Sequence, residues 1–154
     1  MTKMNEIGLM LCRYQARLFE YAARQKVSSK FFVKKFSFSF TAARMDSIGF
    51  LLESIDVPQA YLEIMNGSEK TGIVYSEKIM NWIGYIYRYI CYTHQQPMKR
   101  VYKLIKPKEL HDLYDAYHSM DNELAIERIL EAKSINFEGT NNLELLKRIY
   151  NNVK

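Results

Sequence analysis

The stretch Ser76–His94, SEKIMNWIGYIYRYICYTH, constrains this chain more than any other. It holds the single tryptophan and four of the twelve tyrosines. On a helix turning about 100° per residue, Ile79, Trp82, Ile83, Ile86, Tyr89 and Ile90 share one stripe. Thr93 continues it. Tyr87, Met80 and Cys91 widen the stripe on one side, Tyr85 and Tyr92 on the other. Only a narrow line through Asn81, Gly84 and Arg88 stays polar or bare. A helix this apolar is enclosed by other helices rather than laid on a surface. The pattern therefore predicts an all-α fold: a single-domain multi-helix bundle around this central Tyr/Trp-rich helix. Arg88 and the polar ends argue against a membrane span.

The flanking segments supply the rest of the bundle. A first helix is predicted over Asn5–Gln25, with Ile7, Met10, Leu11, Tyr14, Leu18, Tyr21 and Ala22 on its core face. The stretch Ser28–Met45 carries two signals. Phe36-Ser-Phe-Ser-Phe40 alternates as a strand does, yet Phe32, Phe36, Phe40 and Ala43 repeat at helical spacing, with Ser29 as a cap. We read it as helix, because no second strand lies nearby to pair with. Phe31, Phe38 and Ala42 then form a second apolar strip, facing either a further layer of the bundle or a partner. Short helices follow over Asp46–Ile55 and from Pro58 to Asn66, where Gly67 ends the second. Residues 67–75 read as a loop. Pro97 starts a helix through Ile105, and another runs Pro107–His118, burying Leu110, Leu113, Tyr114 and Tyr117. Asp121 caps the next, with Leu124, Ala125, Ile129 and Ala132 inward. We divide the chain into a bundle over residues 1–133 and a tail over 134–154. The tail reads as a linker, Ser134–Gly139, then an amphipathic helix capped by Thr140, packed on or swapped from the same domain.

Charge is uneven along the chain. The net value is +5, but residues 1–110 carry 17 Lys and Arg against 9 Asp and Glu, whereas residues 111–154 carry 5 against 8. A basic body with an acidic end suits an acidic partner or nucleic acid. Cys12 and Cys91 sit among apolar neighbours and read as buried free thiols of a reduced, cytoplasmic protein. The run Ile7–Cys12 is too short for a secretion signal, and Arg13 interrupts it.

No motif for catalysis or cofactor binding emerges. His94, His111 and His118 form no close ligand pair, and His111 with Asp115 reads as a surface pair rather than a metal site. Glycines make no phosphate loop, and the serines make no nucleophile elbow. The reading is a non-enzymatic protein with no cofactor and no metal. Its candidate partner-binding residues are Arg88 with its neighbours Tyr85 and Tyr92, Phe31 and Phe38 of the second strip, and the basic Lys34, Lys99 and Arg100. Arg88 has two possible settings. Either a carboxylate such as Asp46, Asp121 or Glu123 closes a buried pair with tyrosine hydroxyls around it, or Arg88 lines a groove and awaits an outside acid. Because Phe32, Phe36 and Phe40 are assigned to the core, stacking platforms for bases are not evident.

The order of residues also carries a resemblance. Trp82-Ile-Gly-Tyr-Ile-Tyr-Arg-Tyr89 is followed by Val101-Tyr102-Lys103, Tyr117-His118-Ser-Met-Asp121 and Glu123-Leu-Ala-Ile126. Ser29-x-x-Phe-Val-x-x-Phe36 precedes it, with Ala43 and Asp46 later. Over about residues 5–132 this resembles small all-helical bacterial proteins common in Firmicutes and on mobile elements. These are often encoded beside an ADP-ribosyltransferase-like protein in toxin–antitoxin modules. The resemblance implies an antitoxin-like or accessory protein that occludes a toxin of that fold. The basic surface leaves open a nucleic-acid-binding regulator, and the mobile-element setting an inhibitor of host defence.

Overall fold

The computed structural model describes residues 1–47 and 55–137. Among them are eight helices and no strand: α1 Glu6–Arg24, α2 Ser29–Ser37, α3 Phe40–Met45, α4 Val57–Met65, α5 Glu77–His94, α6 Met98–Leu104, α7 Pro107–Tyr117 and α8 Asn122–Ala132. The fold is an all-α bundle, as the periodicity predicts. The helix expected over Asp46–Ile55 and the one expected after Thr140 fall outside the described residues, apart from Asp46, Ser47 and Ile55.

Helix starts follow local chemistry. The first backbone N–H groups of a helix lack intrahelical acceptors, and a short polar side chain just before them supplies one. Asn5, Ser28, Ser39, Asp56, Ser76 and Asp121 each accept from the N–H three residues on. The other two helices start at proline, Pro97 as cap of α6 and Pro107 as first residue of α7, where a missing N–H costs nothing.

Helix α5 is the axis, and α1 packs along it more extensively than any other element. The contact is made by the line that the sequence pattern leaves bare. A Cβ placed on Gly84 would stand 2.7 Å from the backbone oxygen of Gln15 and 2.9 Å from the Phe19 ring. Glycine here permits a backbone approach that offsets its cost of roughly 1 kcal/mol in a helix interior. Gln15 Nε2 donates to the Gly84 carbonyl at 3.0 Å. The line through Gly84 and Arg88 is thus buried, and the exposed margin of α5 lies elsewhere.

This contact corrects the expected face of α1. Ile7 and Met10 are exposed; Cys12, Gln15, Ala16 and Phe19 are buried beside Leu11, Leu18 and Ala22, while Tyr14 and Tyr21 are only half-buried. The predicted face left out Cys12, Gln15, Ala16 and Phe19 and so lay too far toward Ile7, Met10 and Tyr14. Phe19 then becomes the hub of the aromatic core, edge-on to Phe32 at 5.2 Å and to Phe36 at 5.1 Å between centroids.

The stretch Ser28–Met45 is helical, but not one helix, and its cap is Ser28 rather than Ser29. Serine hydroxyls compete for backbone groups and favour helix ends. Ser37 Oγ donates to Val33 O at 2.7 Å, Ser39 Oγ donates to Phe36 O at 2.6 Å, and Ser39 Oγ also accepts from Ala42 N. The chain turns a corner at Phe38-Ser39. Past it, Thr41, Ala42 and Met45 face inward, while Phe40 and Ala43, assigned to the core from spacing, are exposed.

Three smaller corrections concern the far end. In α8 the buried positions are Ala125, Ile126, Ile129 and Leu130; Leu124 and Ala132 are exposed. The helix presents two adjacent i, i+4 ridges instead of the single one expected. Of the α7 residues expected inside, only Leu110 is fully buried, with Leu113, Tyr114 and Tyr117 at the core margin. Phe137, expected in a linker, is buried against His94, centroids 5.3 Å apart. Among the described residues no helix is long and apolar enough to cross a membrane.

The Gly84 contact makes a stability prediction. Gly84→Ala raises helix propensity but forces a methyl into backbone, and overpacking of this kind costs about 1–3 kcal/mol. We expect a lower melting temperature by differential scanning calorimetry. A variant that melts higher than the parent would show that α1 and α5 are not in contact there.

Candidate functional site

Arg88 is the first candidate, and the structure places it inside. It is 1% exposed, where an unpaired guanidinium is costly. Arg88 Nε donates to Gln15 Oε1 at 2.7 Å, and Nη1 donates to Asp46 Oδ1 at 2.7 Å. Asp46, its side chain 23% exposed, also accepts from the backbone N–H of Met98 at 3.3 Å. The carboxylate therefore joins the end of α3, the middle of α5 and the start of α6. Of the three acids that the sequence offers, Asp46 is the one in place. Two of the tyrosine hydroxyls expected around Arg88 are engaged elsewhere: Tyr87 donates to Ile105 O at 2.6 Å and Tyr92 to Asn5 Oδ1 at 2.8 Å. Gln15 takes their role. Cys12 and Cys91 lie in the same core as free thiols, each pushed up to about 12 by burial.

A second candidate is built by the corner between α2 and α3. The corner leaves Phe38 52% and Phe40 76% exposed, with half-buried Phe31 one helical face along. Tyr102 of α6 meets Phe38 edge-on at 5.9 Å. The loop 67–75 closes the other side. It is tied to the start of α2 by Ser28 N–H to Lys70 O at 2.8 Å, Ser29 N–H to Ile73 O at 3.0 Å and Tyr75 N–H to Ser29 Oγ at 2.7 Å. Gly72 lets the loop come this near, since a Cβ there would stand 2.9 Å from Ser28 Cβ. The result is an open groove of about 860 Å³ between α2 and the end of α4.

Cations sit on these rings. The ammonium of Lys70 is 5.9 Å from the centroid of Phe31, that of Lys103 5.6 Å from Phe38, and that of Lys106 4.2 Å from Tyr102. The Arg44 guanidinium is 5.5 Å from Phe40. Lys30, Lys34 and Lys35 add charge along the groove; Glu63 is the one acid among the described residues lining it. Such cation–ring pairs contribute about 0.5–1 kcal/mol each at exposed sites, and they hold flexible lysines over an apolar surface.

The residues predicted from sequence fall into five places. Phe31, Phe38 and Lys34 come together in the groove. Arg88 is buried. Tyr85 borders a wider groove along α1, about 1250 Å³, whose Arg24 is already paired with Glu20 and Glu77. Tyr92 lies at the end of α5 against the N-terminal segment. Lys99 is exposed on α6, and Arg100 stacks over Phe137 at 5.8 Å; neither lines the Phe–Lys groove. Sequence reading missed Phe40 as a surface residue, and missed Tyr102 and Lys70 as part of this face. The serines at 37 and 39 were the available signal for Phe40, since they mark a break in which spacing no longer carries across. His111 pairs with Asp112, Nδ1 to Oδ1 3.0 Å, rather than with Asp115. Among the described residues no cluster of His, Cys, Asp or Glu has the makings of a metal site. No family model, curated protein or solved structure matches this chain.

Two outcomes follow from the buried centre. Arg88→Met leaves Asp46 and Gln15 without their donor and should cost about 3 kcal/mol, read as a clear drop in the urea midpoint; an unchanged midpoint would mean the pair contributes nothing. Native protein at pH 8 should react with a thiol reagent slowly at both cysteines and promptly once unfolded, because the reactive species is the thiolate. Fast reaction of the folded protein would show that either thiol is accessible.

Proposed function

We propose that this chain is a non-enzymatic protein-binding module, the antitoxin-like or accessory partner of a toxin. It acts by covering its partner through the Phe–Lys face of α2, α3 and α6. The observation that carries this reading is the exposure of Phe38 and Phe40 along one groove. Clustered exposed aromatics mark interaction sites, and aromatic anchors dominate binding energy at interfaces. Occlusion needs such a surface and no reaction centre. The resemblance in Trp82–Tyr89 supports an ADP-ribosyltransferase-like toxin as the partner. A second reading, nucleic-acid binding, is favoured by one observation: cations interleave with these rings, the composition of single-strand binding grooves.

The test is capture of a co-expressed ADP-ribosyltransferase-like neighbour by the parent and by Phe38→Asp and Phe40→Asp variants. Both residues are exposed, so each variant should stay folded, losing only its ring contacts at about 0.5–1 kcal/mol each. We expect capture to weaken at least tenfold, about 1.4 kcal/mol. Undiminished capture by both variants would place the partner surface elsewhere. Recovery of RNA or DNA alone, lost steeply with salt, would support the second reading.

A further inference from the structure

We infer that the Phe–Lys face selects an acidic protein segment carrying apolar anchors; this rests on the protein-docking reading above and names its chemistry. Charge complementarity is the first argument. Lys30, Lys34, Lys35 and Lys70 line the groove against Glu63, with Arg44, Lys103 and Lys106 at its aromatic rim. An acidic segment meets a cation at nearly every edge.

The second argument separates a protein segment from a nucleic-acid strand. A base stacks on the bare face of a ring. Here cations stand over Phe31, Phe38 and Phe40, and Lys106 stands close over Tyr102. A base stacking on one of these rings would compete with the cation for that face. A carboxylate meets the same cations where they already are, and an apolar side chain packs on the open edges of Phe38 and Phe40. Spacing adds a third argument. Phe31, Lys34, Lys35 and Phe38 follow one another at i, i+3, i+4 and i+7 along α2, which spans about 10 Å at 1.5 Å per residue. That length matches about two turns of a partner helix with its acids and anchors on one side. The walls are fixed by the Ser28, Ser29 and Tyr75 hydrogen bonds, so little ordering is needed on binding.

The experiment uses the full chain and three labelled probes in fluorescence anisotropy. The first is a peptide of about a dozen residues, glutamates with two phenylalanines one helical turn apart. The second replaces its glutamates by glutamine. The third is an oligothymidine strand of similar length. We expect the acidic peptide to bind, with at least tenfold loss in Phe38→Ala and in the double variant Lys34→Glu, Lys103→Glu, and to bind better than the glutamine peptide. Oligothymidine should bind more weakly than the acidic peptide at about 150 mM salt. Tighter binding of oligothymidine, weakened by Phe38→Ala, would overturn the inference in favour of a nucleic-acid strand. Equal binding of the two peptides, or binding of neither, also overturns it. In that case the toxin-capture assay separates the two levels: capture still dependent on Phe38 and Phe40 keeps the docking reading with a different partner chemistry, and its absence removes both.

Discussion

Gln15 and Gly84 meet at 3.0 Å across the two longest helices, and the rest of the bundle is arranged around that approach. The missing side chain at position 84 lets the α1 backbone come within contact distance. The Gln15 side chain then has one end on α5 and the other free to accept from Arg88. Arg88 in turn reaches Asp46, and Asp46 the first N–H of α6. A run of neighbours thus links four helices through polar bonds inside an apolar core. Buried polar networks of this kind specify one arrangement when their members are matched. They are costly when one is removed, since the remaining charge stays buried.

Two groups of cations in this protein have different surroundings. Arg88 is engaged inside the fold, with its charge held by Asp46. Lys70, Lys103 and Lys106 are outside, resting on aromatic rings, and Lys30, Lys34 and Lys35 line the same groove. The corner at Phe38-Ser39 creates that second group. Had α2 continued straight, Phe40 would have followed Phe32 and Phe36 into the core around Phe19. The turn redirects it to solvent beside Arg44, and the core is completed by Ala42 and Met45. On the proposed docking reading, folding and binding fall to different residues, with the same short segment contributing to both.

Much of this was legible from the chain. Apolar spacing is a local signal, so helix positions, the start of α5 at Ser76 and the Asp121 cap could be read directly, as could the requirement that Arg88 find an acid. Asp46 was among the acids named. What could not be read were facts decided by partners distant in sequence. Gln15 looks polar and outward until Gly84 is known to face it, 69 residues away. Leu124 and Leu130 are alike in spacing arguments, and only the neighbour of α8 decides which is buried. The candidate face was half visible: Phe31, Phe38 and Lys34 share a stretch, but Lys70 and Tyr102 join them only through tertiary packing.

The most direct test of this account is a double-mutant cycle on Asp46 and Arg88, using urea unfolding of the parent, Asp46→Asn, Arg88→Met and the double variant. If the pair is a structural bond, each single change is destabilising, and the double variant loses much less than the sum, with a coupling of about 2 kcal/mol. Additivity within about 0.5 kcal/mol would contradict it, and would mean that the residue at the centre of the core is not held by Asp46.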